Sequence, residues 1–367
     1  MPDPLWDVAV VGAGPAGAVT AHAAARRGLS VVLLDKATFP RRKVCGCCLN
    51  AHALSALDAV GLGGLPRRLG AVPLTRIALA ARGRTATLPQ AGSVSLSRDA
   101  FDVALIDAAA ESGAIFRQGV AVNLLGRDAG VWHLDAGGPV RARRLIDASG
   151  LNGRLLNPDS VVSPTARLGA GTVIDHPAGE YARGTIYLGV GRGGYVGLVR
   201  LEDGRLDVAA AFDAAHVRAA GSLAAAADTV LREAGMPTLP LNASWKGTPP
   251  LTRYSRRIAG PGWFAVGDAA GYVEPFTGEG MAWAVAGAAN LVPLLSLPDG
   301  EVVVAAWGAA YRKHVAARQY PCRAIAALLR APRLCGGVVQ ALQRWPAAAG
   351  PVVRQLNRPL TASLRGI

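Results

Sequence analysis

The first stretch whose residue types and spacing could do chemistry is a glycine-rich turn near the N terminus. It reads Gly12-Ala13-Gly14-Pro15-Ala16-Gly17, between the apolar run Asp7–Val11 and an alanine-rich segment predicted as a helix. The first glycine of such a turn permits a tight bend, the second lets a pyrophosphate approach the backbone, and the third lets helix and strand pack closely. The helix N terminus offers free N–H groups to that phosphate. The pattern predicts a dinucleotide site.

A carboxylate follows at the spacing expected for a ribose contact. Asp35 ends a second β-branched run, Ser30–Leu34, and lies 23 positions after Gly12. An acid here accepts hydrogen bonds from ribose hydroxyls and disfavours a 2′-phosphate. We therefore expect FAD or NAD rather than NADP, bound by a strand, turn, helix and strand.

A second glycine-rich segment lies about 250 residues further on. There the apolar strand predicted over Trp263–Val266 runs into Gly267-Asp268, and Gly278-Glu279-Gly280-Met281 opens a long apolar helix. We expect Asp268 to accept a hydroxyl of a ribityl chain. The positive end of the helix dipole favours negative charge, which builds up on the N1–O2 edge of a flavin during reduction. The pair of segments favours a flavin over a plain nucleotide.

A cysteine cluster, Cys45-Gly46-Cys47-Cys48, directly follows the basic loop Arg41–Val44. A metal site is disfavoured, because His52 is near but no second ligand pair stands at zinc spacing. For Cys45, two interpretations stay open: a reactive thiol whose pKa the basic residues lower, or a small side chain packed on a flavin ring. Cys45 is therefore the candidate catalytic residue, whereas Cys47 and Cys48 are interpreted as packing residues. We expect no metal.

The remaining pattern alternates strands and helices before a mostly β region. A helix is predicted over Arg98–Ser112 with a serine cap, and strands over Leu74–Leu79 and Arg84–Leu88. Three short strands ending at Ile146 predict a small antiparallel meander that leads into Asp147. β-branched and aromatic positions between glycines predict further strands from Thr165 to Phe212.

Four segments together identify a resemblance. They are Gly12–Gly17, Phe39–Gly46 (FPRRKVCG), Arg98 at the start of a helix, and Gly267–Met281 (GDAAGYVEPFTGEGM). The set resembles the FAD-dependent oxidoreductases of the geranylgeranyl reductase type, within the superfamily of p-hydroxybenzoate hydroxylase and the flavin-dependent halogenases. The halogenase motif Trp-x-Trp-x-Ile-Pro is absent, which disfavours halogenation.

The resemblance also carries a set of expected cofactor contacts. Many hydroxylases carry Ala-Asp-Gly where this chain has Ala148-Ser149-Gly150, so Asp147 is expected to take over part of the missing acid's role. The full set expected to contact FAD is Gly12, Ala13, Gly14, Pro15, Ala16, Gly17, Asp35, Lys36, Arg42, Cys45, Arg98, Val122, Asp147, Asp268, Gly278, Glu279, Gly280 and Met281.

The resemblance further implies an α/β fold in which an inserted sheet covers the flavin. The FAD-binding domain is Rossmann-like, a ββα sandwich of the glutathione reductase type, over residues 1–72, 97–164 and 252–300. The mostly antiparallel β substrate domain takes residues 73–96 and 165–251, and a helical tail takes 301–367. 

The implied activity is that of an FAD-dependent oxidoreductase on a hydrophobic substrate, which is lipid-, polyketide- or carrier-linked. It proceeds by hydride transfer or by oxygen activation at a non-covalent flavin, with NADH or NADPH as a candidate electron donor. A monooxygenase or divergent halogenase, and a non-catalytic flavin-binding protein, remain the alternatives.

The charge balance raises a separate question about partners. The net charge of the 367 residues is +14, and ten Lys or Arg with no Asp or Glu lie between Val302 and Ile367. This tail suits an acidic carrier protein or an anionic membrane surface, although it equally suits a solvated basic face. No nucleic-acid motif is present, so we expect no nucleic-acid partner. Pro321, Pro332 and Pro346 are expected to break the tail into short helices.

The first residues lack the charged and apolar pattern of a signal peptide, so we expect none, and the sequence contains no run of eighteen apolar residues. We therefore expect a cytoplasmic protein, in peripheral contact with a membrane if the basic tail binds lipid. The five cysteines are not expected to form a disulfide framework in that compartment.

Overall fold

A computed structural model describes residues 4–153, 155–156, 160–175, 179–274, 276 and 278–356 of the chain. The strands are β1 (Leu5–Val11), β2 (Val31–Asp35), β3 (Cys48–Leu49), β4 (Val72–Ala81), β5 (Arg84–Ser95), β6 (Ile115–Gln118), β7 (Asn123–Asp128), β8 (Val131–Asp135), β9 (Pro139–Asp147), β10 (Val161–Val162), β11 (Leu168–Ile174), β12 (Thr185–Gly191), β13 (Gly194–Arg200), β14 (Leu206–Phe212), β15 (Lys246–Pro250), β16 (Arg253–Tyr254), β17 (Ala259–Gly260), β18 (Trp263–Ala265) and β19 (Gly271–Tyr272). The helices are α1 (Pro15–Ala25), α2 (Ala51–Ala59), α3 (Leu65–Arg68), α4 (Arg98–Glu111), α5 (Ala214–Ala220), α6 (Leu223–Ala234), α7 (Gly280–Leu291), α8 (Glu301–Tyr311), α9 (Ala317–Leu328), α10 (Pro332–Arg344) and α11 (Gly350–Leu356).

The first sheet has the order β17-β18-β9-β1-β2-β6, and β18, β9, β1, β2 and β6 run parallel. Helices α1, α4 and α7 pack against each other and against one face of this sheet in a single apolar cluster. The predicted unit of strand, glycine turn, helix and strand is therefore present as β1, α1 and β2. The β7–β8 hairpin attaches to β9, so the predicted meander forms, but its last strand also lies at the centre of the parallel sheet.

The second sheet has the order β15-β11-β14-β13-β12-β4-β5-β3. All neighbouring strands run antiparallel except β12 and β4, so the expected mostly antiparallel character is confirmed. Because side chains alternate between the two faces of a strand, β13 directs Val196 to α6 and Tyr195 to the opposite face. The edge strand Cys48–Leu49 joins this sheet, although it lies in a range assigned from sequence to the FAD-binding domain.

Helix boundaries follow from capping side chains. Ser97 caps α4 by accepting a hydrogen bond from the Ala100 N–H at 3.2 Å, and Asn50 caps α2 in the same way through the Ala53 N–H at 3.0 Å. Each cap satisfies an amide that has no partner inside the helix. The predicted start of the helix at Arg98 is confirmed.

The C-terminal segment differs from the expectation at one of its three prolines. Pro332 and Pro346 begin new elements, as predicted, but Pro321 lies inside α9. A π-helical turn over Arg312–Ala316 joins α8 to α9 immediately before it. A proline inside a helix removes one intrahelical hydrogen bond, and α9 nevertheless continues through Pro321, against the expected break. Among the described residues no single helix is long and apolar enough to span a membrane; Glu301–Leu328 and Pro332–Arg344 pass that test only together, across a bend of 107°.

The packing of α4 on α1 gives a first prediction. Phe101 of α4 is fully buried in the cluster under the first sheet. Phe101→Ala should lower the free energy of unfolding by about 3–5 kcal/mol, because it removes apolar contacts and leaves a cavity. Urea unfolding followed by circular dichroism measures this. Leu125→Ala, at a side chain that is 67% exposed on β7, is the control and should change stability by less than about 0.5 kcal/mol. Equal effects of the two substitutions would contradict the assigned packing.

Candidate functional site

One cavity of about 720 Å³ lies between the two sheets. Its first half is formed by the glycine turn, the ends of β2 and β18, and the N terminus of α7. Its second half is formed by the face of the second sheet that carries Ile186, Leu188 and Tyr195. The two glycine-rich segments that are about 250 residues apart in sequence therefore line the same space.

The glycine turn has no room for side chains at two of its positions. A Cβ on Gly12 would lie 2.3 Å from the Ala148 carbonyl oxygen, and its φ of +105° favours glycine in any case. A Cβ on Gly17 would lie 1.8 Å from the Gly12 carbonyl oxygen. These contacts bring β1, α1 and the end of β9 together and direct the N terminus of α1 at the cavity.

The middle of this turn is flanked by two positively charged side chains, as a pyrophosphate site requires. A Cβ on Gly14 would meet only the terminal nitrogens of Arg41 and Arg98, each 3.7 Å away. Arg98 is buried and held by two hydrogen bonds of 2.7 Å to the carboxylate of Asp102. Because Gly14 has no side chain, the space between the two guanidinium groups and the helix N terminus is open. Both features attract anions, so this space suits a diphosphate.

Asp35 is positioned by the turn itself. One carboxylate oxygen accepts the Ala13 N–H at 2.7 Å and the other accepts the Ala37 N–H at 2.8 Å, while Arg41 lies 3.6 Å away. The residue lines the cavity with Lys36 beside it. Because each carboxylate oxygen has two acceptor sites, Asp35 retains capacity for the predicted ribose contact.

Asp147 corrects one expectation from the sequence. Its carboxylate accepts hydrogen bonds from the Ser149 N–H, the Ser149 hydroxyl and the Leu156 N–H, and its side chain is fully buried. It does not line the cavity, whereas Ala148, Ser149 and Gly150 do. Asp147 therefore holds the loop after β9 in place, because the end of that strand turns its side chain away from the cavity.

At the other glycine-rich segment, an acid and a base lie close together. Burial raises the pKa of the Asp268 carboxyl, and the neighbouring Lys43 ammonium opposes that shift. Burial lowers the pKa of Lys43, and Asp268 opposes it in turn. Both residues line the cavity next to Gly278–Met281 at the start of α7. This arrangement places a polar pair where the predicted ribityl contact of Asp268 requires one.

The sequence predicted a lowered pKa for the Cys45 thiol but not all of the groups that lower it. A hydrogen bond from Cys47 and the charge of Arg98 outweigh burial and lower its pKa to about 6. The basic run Arg41–Lys43 was expected to lower this pKa, but the largest favourable contributions come from Cys47 and Arg98, while Arg42 pairs with Asp175 at 3.6 Å. Burial raises the pKa of Cys48, and the hydrogen bond to Cys45 together with burial raises that of Cys47.

Most of the predicted site residues meet at this cavity. Those that line it are Gly12, Gly14, Pro15, Ala16, Asp35, Lys36, Arg42, Cys45, Arg98, Val122, Asp268, Gly278, Glu279, Gly280 and Met281. Ala13 and Gly17 lie in the turn behind the lining, where they shape it. Among the described residues no group of three His, Cys, Asp or Glu side chains is arranged to hold a metal ion.

Several residues with functional side chains line the cavity without having been predicted from the sequence. Lys43 and Tyr272 lie inside the two segments that carry the resemblance, so their position in those segments was an available signal. Tyr195 and Phe276 line the second half of the cavity, where their rings pack edge to face with centroids 4.9 Å apart. No local pattern in the sequence connects these two, because β13 and the loop before α7 meet only in the tertiary structure.

Comparison with known proteins agrees with this geometry. Residues 6–132 match the model of the FAD binding domain family. The chain is 29% identical over 357 residues to a menaquinone reductase of Mycolicibacterium smegmatis, covering 89% of this chain and 85% of that protein. It is 28% identical over 303 residues to digeranylgeranylglycerophospholipid reductase 2 of Methanopyrus kandleri, covering 75% of this chain and 73% of that protein.

Solved structures share the fold. A flavoprotein/dehydrogenase from Cytophaga hutchinsonii superimposes with a TM-score of 0.76 at 18% identity, over 96% of this chain and 93% of that one. The flavin-dependent brominase Bmp2 superimposes with a TM-score of 0.74 at 17% identity, over 96% and 94%. Together with the family match, these findings confirm the expected fold class and FAD as the cofactor.

The start of α7 gives a prediction for cofactor binding. A Cβ on Gly280 would lie 3.3 Å from the Tyr272 ring, so Gly280→Val would push branched atoms into the lining. We expect reduced FAD occupancy or slower flavin reduction with the fold retained, measured by absorbance of the purified protein and stopped-flow reduction. Gly337→Val on α10 is the control, because nothing lies within 4 Å of its Cβ position. An unchanged flavin spectrum and rate in Gly280→Val would contradict the placement.

The Cys45 thiol gives a prediction for pH dependence. Because its pKa is lowered to about 6, the thiolate predominates above that pH. Alkylation of Cys45 by iodoacetamide in flavin-free protein should rise through pH 6 and level off by about pH 7, whereas an ordinary thiol titrates near 8.5. Mass spectrometry of labelled peptides follows the rate, with Cys335 as an internal control because burial raises its pKa. Cys47→Ala should move the midpoint upward, and a midpoint near 8.5 in the unaltered protein would contradict the assignment.

Proposed function

We propose that this chain, an FAD-dependent oxidoreductase, reduces carbon–carbon double bonds in a long apolar substrate. Its two relatives named above are reductases whose names refer to a quinone and to a prenylated phospholipid. Both alignments extend well beyond the nucleotide-binding segment into the second sheet. The proposal therefore takes the reaction type from the relatives and the substrate class from the cavity of this chain.

The observation that carries the proposal is the apolar second half of the cavity. Ile77, Ile186, Leu188, Val199 and Phe276 line it, and it is continuous with the half that binds FAD. A pocket of this kind gains free energy by removing apolar surface from water, at about 25 cal/mol per Å². It favours a substrate with an extended hydrocarbon part, whose reacting bond reaches the boundary between the two halves.

The ionisable groups of the cavity lie at that boundary. When bound and reduced, FAD would supply a hydride, and reduction of a double bond also needs a proton. The Tyr272 hydroxyl stays protonated at neutral pH, because burial and the charge of Asp268 raise its pKa well above the ordinary value. Cys45 is mainly the thiolate near pH 7 and so is a poorer proton donor. We assign Tyr272 as the proton donor and the apolar lining as the means of excluding water.

Tyr195 has a different part in this scheme. Its hydroxyl is hydrogen-bonded to Glu274, and burial with the nearby Glu274 charge raises its pKa. Glu274 is itself paired with Arg167 at 3.4 Å. A hydroxyl held in this way serves to position the ring of Tyr195 against the substrate, leaving Tyr272 as the hydroxyl available for proton transfer.

A single-turnover experiment tests the proposal. Dithionite-reduced protein is mixed without oxygen with menaquinone or with a geranylgeranyl lipid, and products are analysed by mass spectrometry. We expect a product that has gained two hydrogens on its hydrocarbon chain and keeps them after the quinone ring is reoxidised, which distinguishes it from menaquinol formed by dithionite. A product that forms only in air and contains an added oxygen would support the monooxygenase alternative instead, and no product with either lipid would contradict the substrate class.

The assignment of Tyr272 is tested in the same assay. Tyr272→Phe should lower the single-turnover rate by about 100-fold, the order expected for loss of a general acid, while flavin occupancy and reduction by dithionite stay normal. Tyr254→Phe is the matched control, because Tyr254 is 41% exposed and does not line the cavity. Equal rates in Tyr272→Phe and the unaltered protein would show that the proton comes from another group.

A further inference from the structure

The C-terminal helix α10 carries an apolar stripe on its outer face. Leu334, Val338 and Ala341 follow one another at intervals of four and three residues, which places them on one side of α10, and Trp345 is the residue that ends the helix. Their large members are exposed: Leu334 by 62%, Val338 by 37% and Trp345 by 64%. The opposite side of α10, with Cys335 and Val339, is buried against the second sheet. The stripe is therefore not needed for packing within the described chain.

The stripe is bordered by positive charge. Arg333 and Arg344 lie beside it on the side away from the buried face, both are exposed, and neither takes part in the ion pairs that the structure describes. No Asp or Glu occurs from Val302 to the C terminus. An apolar stripe with arginines along its border is the pattern of a helix that lies in the plane of an anionic membrane surface.

The segment after α10 leads from the stripe to the cavity. Trp345 is followed by exposed Ala347, Ala348 and Val352, the last 51% exposed. The next residue, Val353 of α11, lines the cavity. The segment that follows the stripe therefore contributes to the wall of the cavity.

We propose that α10 docks on anionic lipid bilayers and that the substrate passes from the bilayer into the cavity beside α11. This rests on the proposed function for the idea that the substrate is a long apolar molecule, which partitions into lipid. The docking itself depends only on the stripe and its flanking arginines. Trp345 suits this position, since its ring combines an apolar body with a polar N–H and favours the membrane–water interface.

Point substitutions test this surface better than truncation. Leu329, Cys335 and Val339 belong to the buried cluster that backs the second half of the cavity, so removal of the tail would also open the substrate site. The test variants are Val338→Glu/Trp345→Glu, which interrupts the stripe, and Arg333→Glu/Arg344→Glu, which reverses the flanking charge. The matched controls are Leu125→Glu on β7 and Arg67→Glu/Arg68→Glu on α3, all at exposed positions remote in sequence from the tail.

The measurement is co-sedimentation of FAD-loaded protein with vesicles. One set contains phosphatidylcholine with phosphatidylglycerol, the other phosphatidylcholine alone. We expect the unaltered protein and both controls to bind the anionic vesicles, and each test variant to bind at least about tenfold more weakly, since each basic residue near such a surface contributes about fivefold in affinity. FAD absorbance confirms that the variants are folded.

Three outcomes would overturn the proposal. The unaltered protein fails to sediment with anionic vesicles, or the control variants lose as much binding as the test variants. Alternatively, light scattering shows a dimer that Val338→Glu/Trp345→Glu dissociates, which would make the stripe a contact between copies of this chain. Vesicle binding without any reduction of lipid substrates would contradict only the proposed function, because the binding assay needs no turnover.

Discussion

At the carboxyl end of β1, three backbone segments meet with no side chain between them. The Gly12 carbonyl lies where a Cβ on Gly17 would be, and the Ala148 carbonyl lies where a Cβ on Gly12 would be. This contact fixes the N terminus of α1 relative to β1 and to the loop after β9. The positions of the Asp35 carboxylate, bonded to the Ala13 N–H, and of the Ser149 loop, held by Asp147, follow from it. The cofactor half of the cavity depends on this one steric constraint.

The apolar half depends on a buried cluster of charges. Arg167 is fully buried and pairs with Asp213 at 3.2 Å and with Glu274 at 3.4 Å, while Arg330, just after α9, reaches Asp213 at 3.0 Å. Buried charges are tolerated only when paired, and removing one partner of such a pair costs about 3–5 kcal/mol. The cluster thereby ties the end of α9 to the loop that carries Phe276, which packs on Tyr195. The C-terminal helices thus help to form the apolar half of the cavity.

The cavity combines two environments that suit an FAD-dependent oxidoreductase. Guanidinium groups and backbone amides surround the glycine turn, whereas aliphatic and aromatic side chains cover the second sheet. Four ionisable groups lie between these regions: Lys43, Cys45, Asp268 and Tyr272. Burial is the main cause of the pKa shifts of Lys43, Asp268 and Tyr272, whereas for Cys45 it opposes the lowering caused by its neighbours. Perturbed ionisable groups concentrated at the junction of a polar and an apolar region are a common feature of active sites.

The sequence by itself determined the cofactor half, because its signals are local. The glycine spacing from Gly12 to Gly17, the acid at Asp35 and the capped helix at Arg98 each reflect backbone geometry or hydrogen bonds over a few residues, and the structure places all three at the cavity. The pairing with Asp268 was also accessible, since the second segment has a glycine pattern of its own.

Only the tertiary structure decided the remaining features. The meander strand β9 lies between β1 and β18, the Asp147 side chain turns inward, and Arg98 rather than the neighbouring basic loop acts on Cys45. Pro321 stays within α9, and a π-helical turn precedes that helix. In each case residues far apart in sequence, or a distortion of the backbone, set the outcome. The spacing of apolar residues and their secondary-structure propensities indicate which face of a helix or strand is apolar. They do not indicate which other element will cover that face.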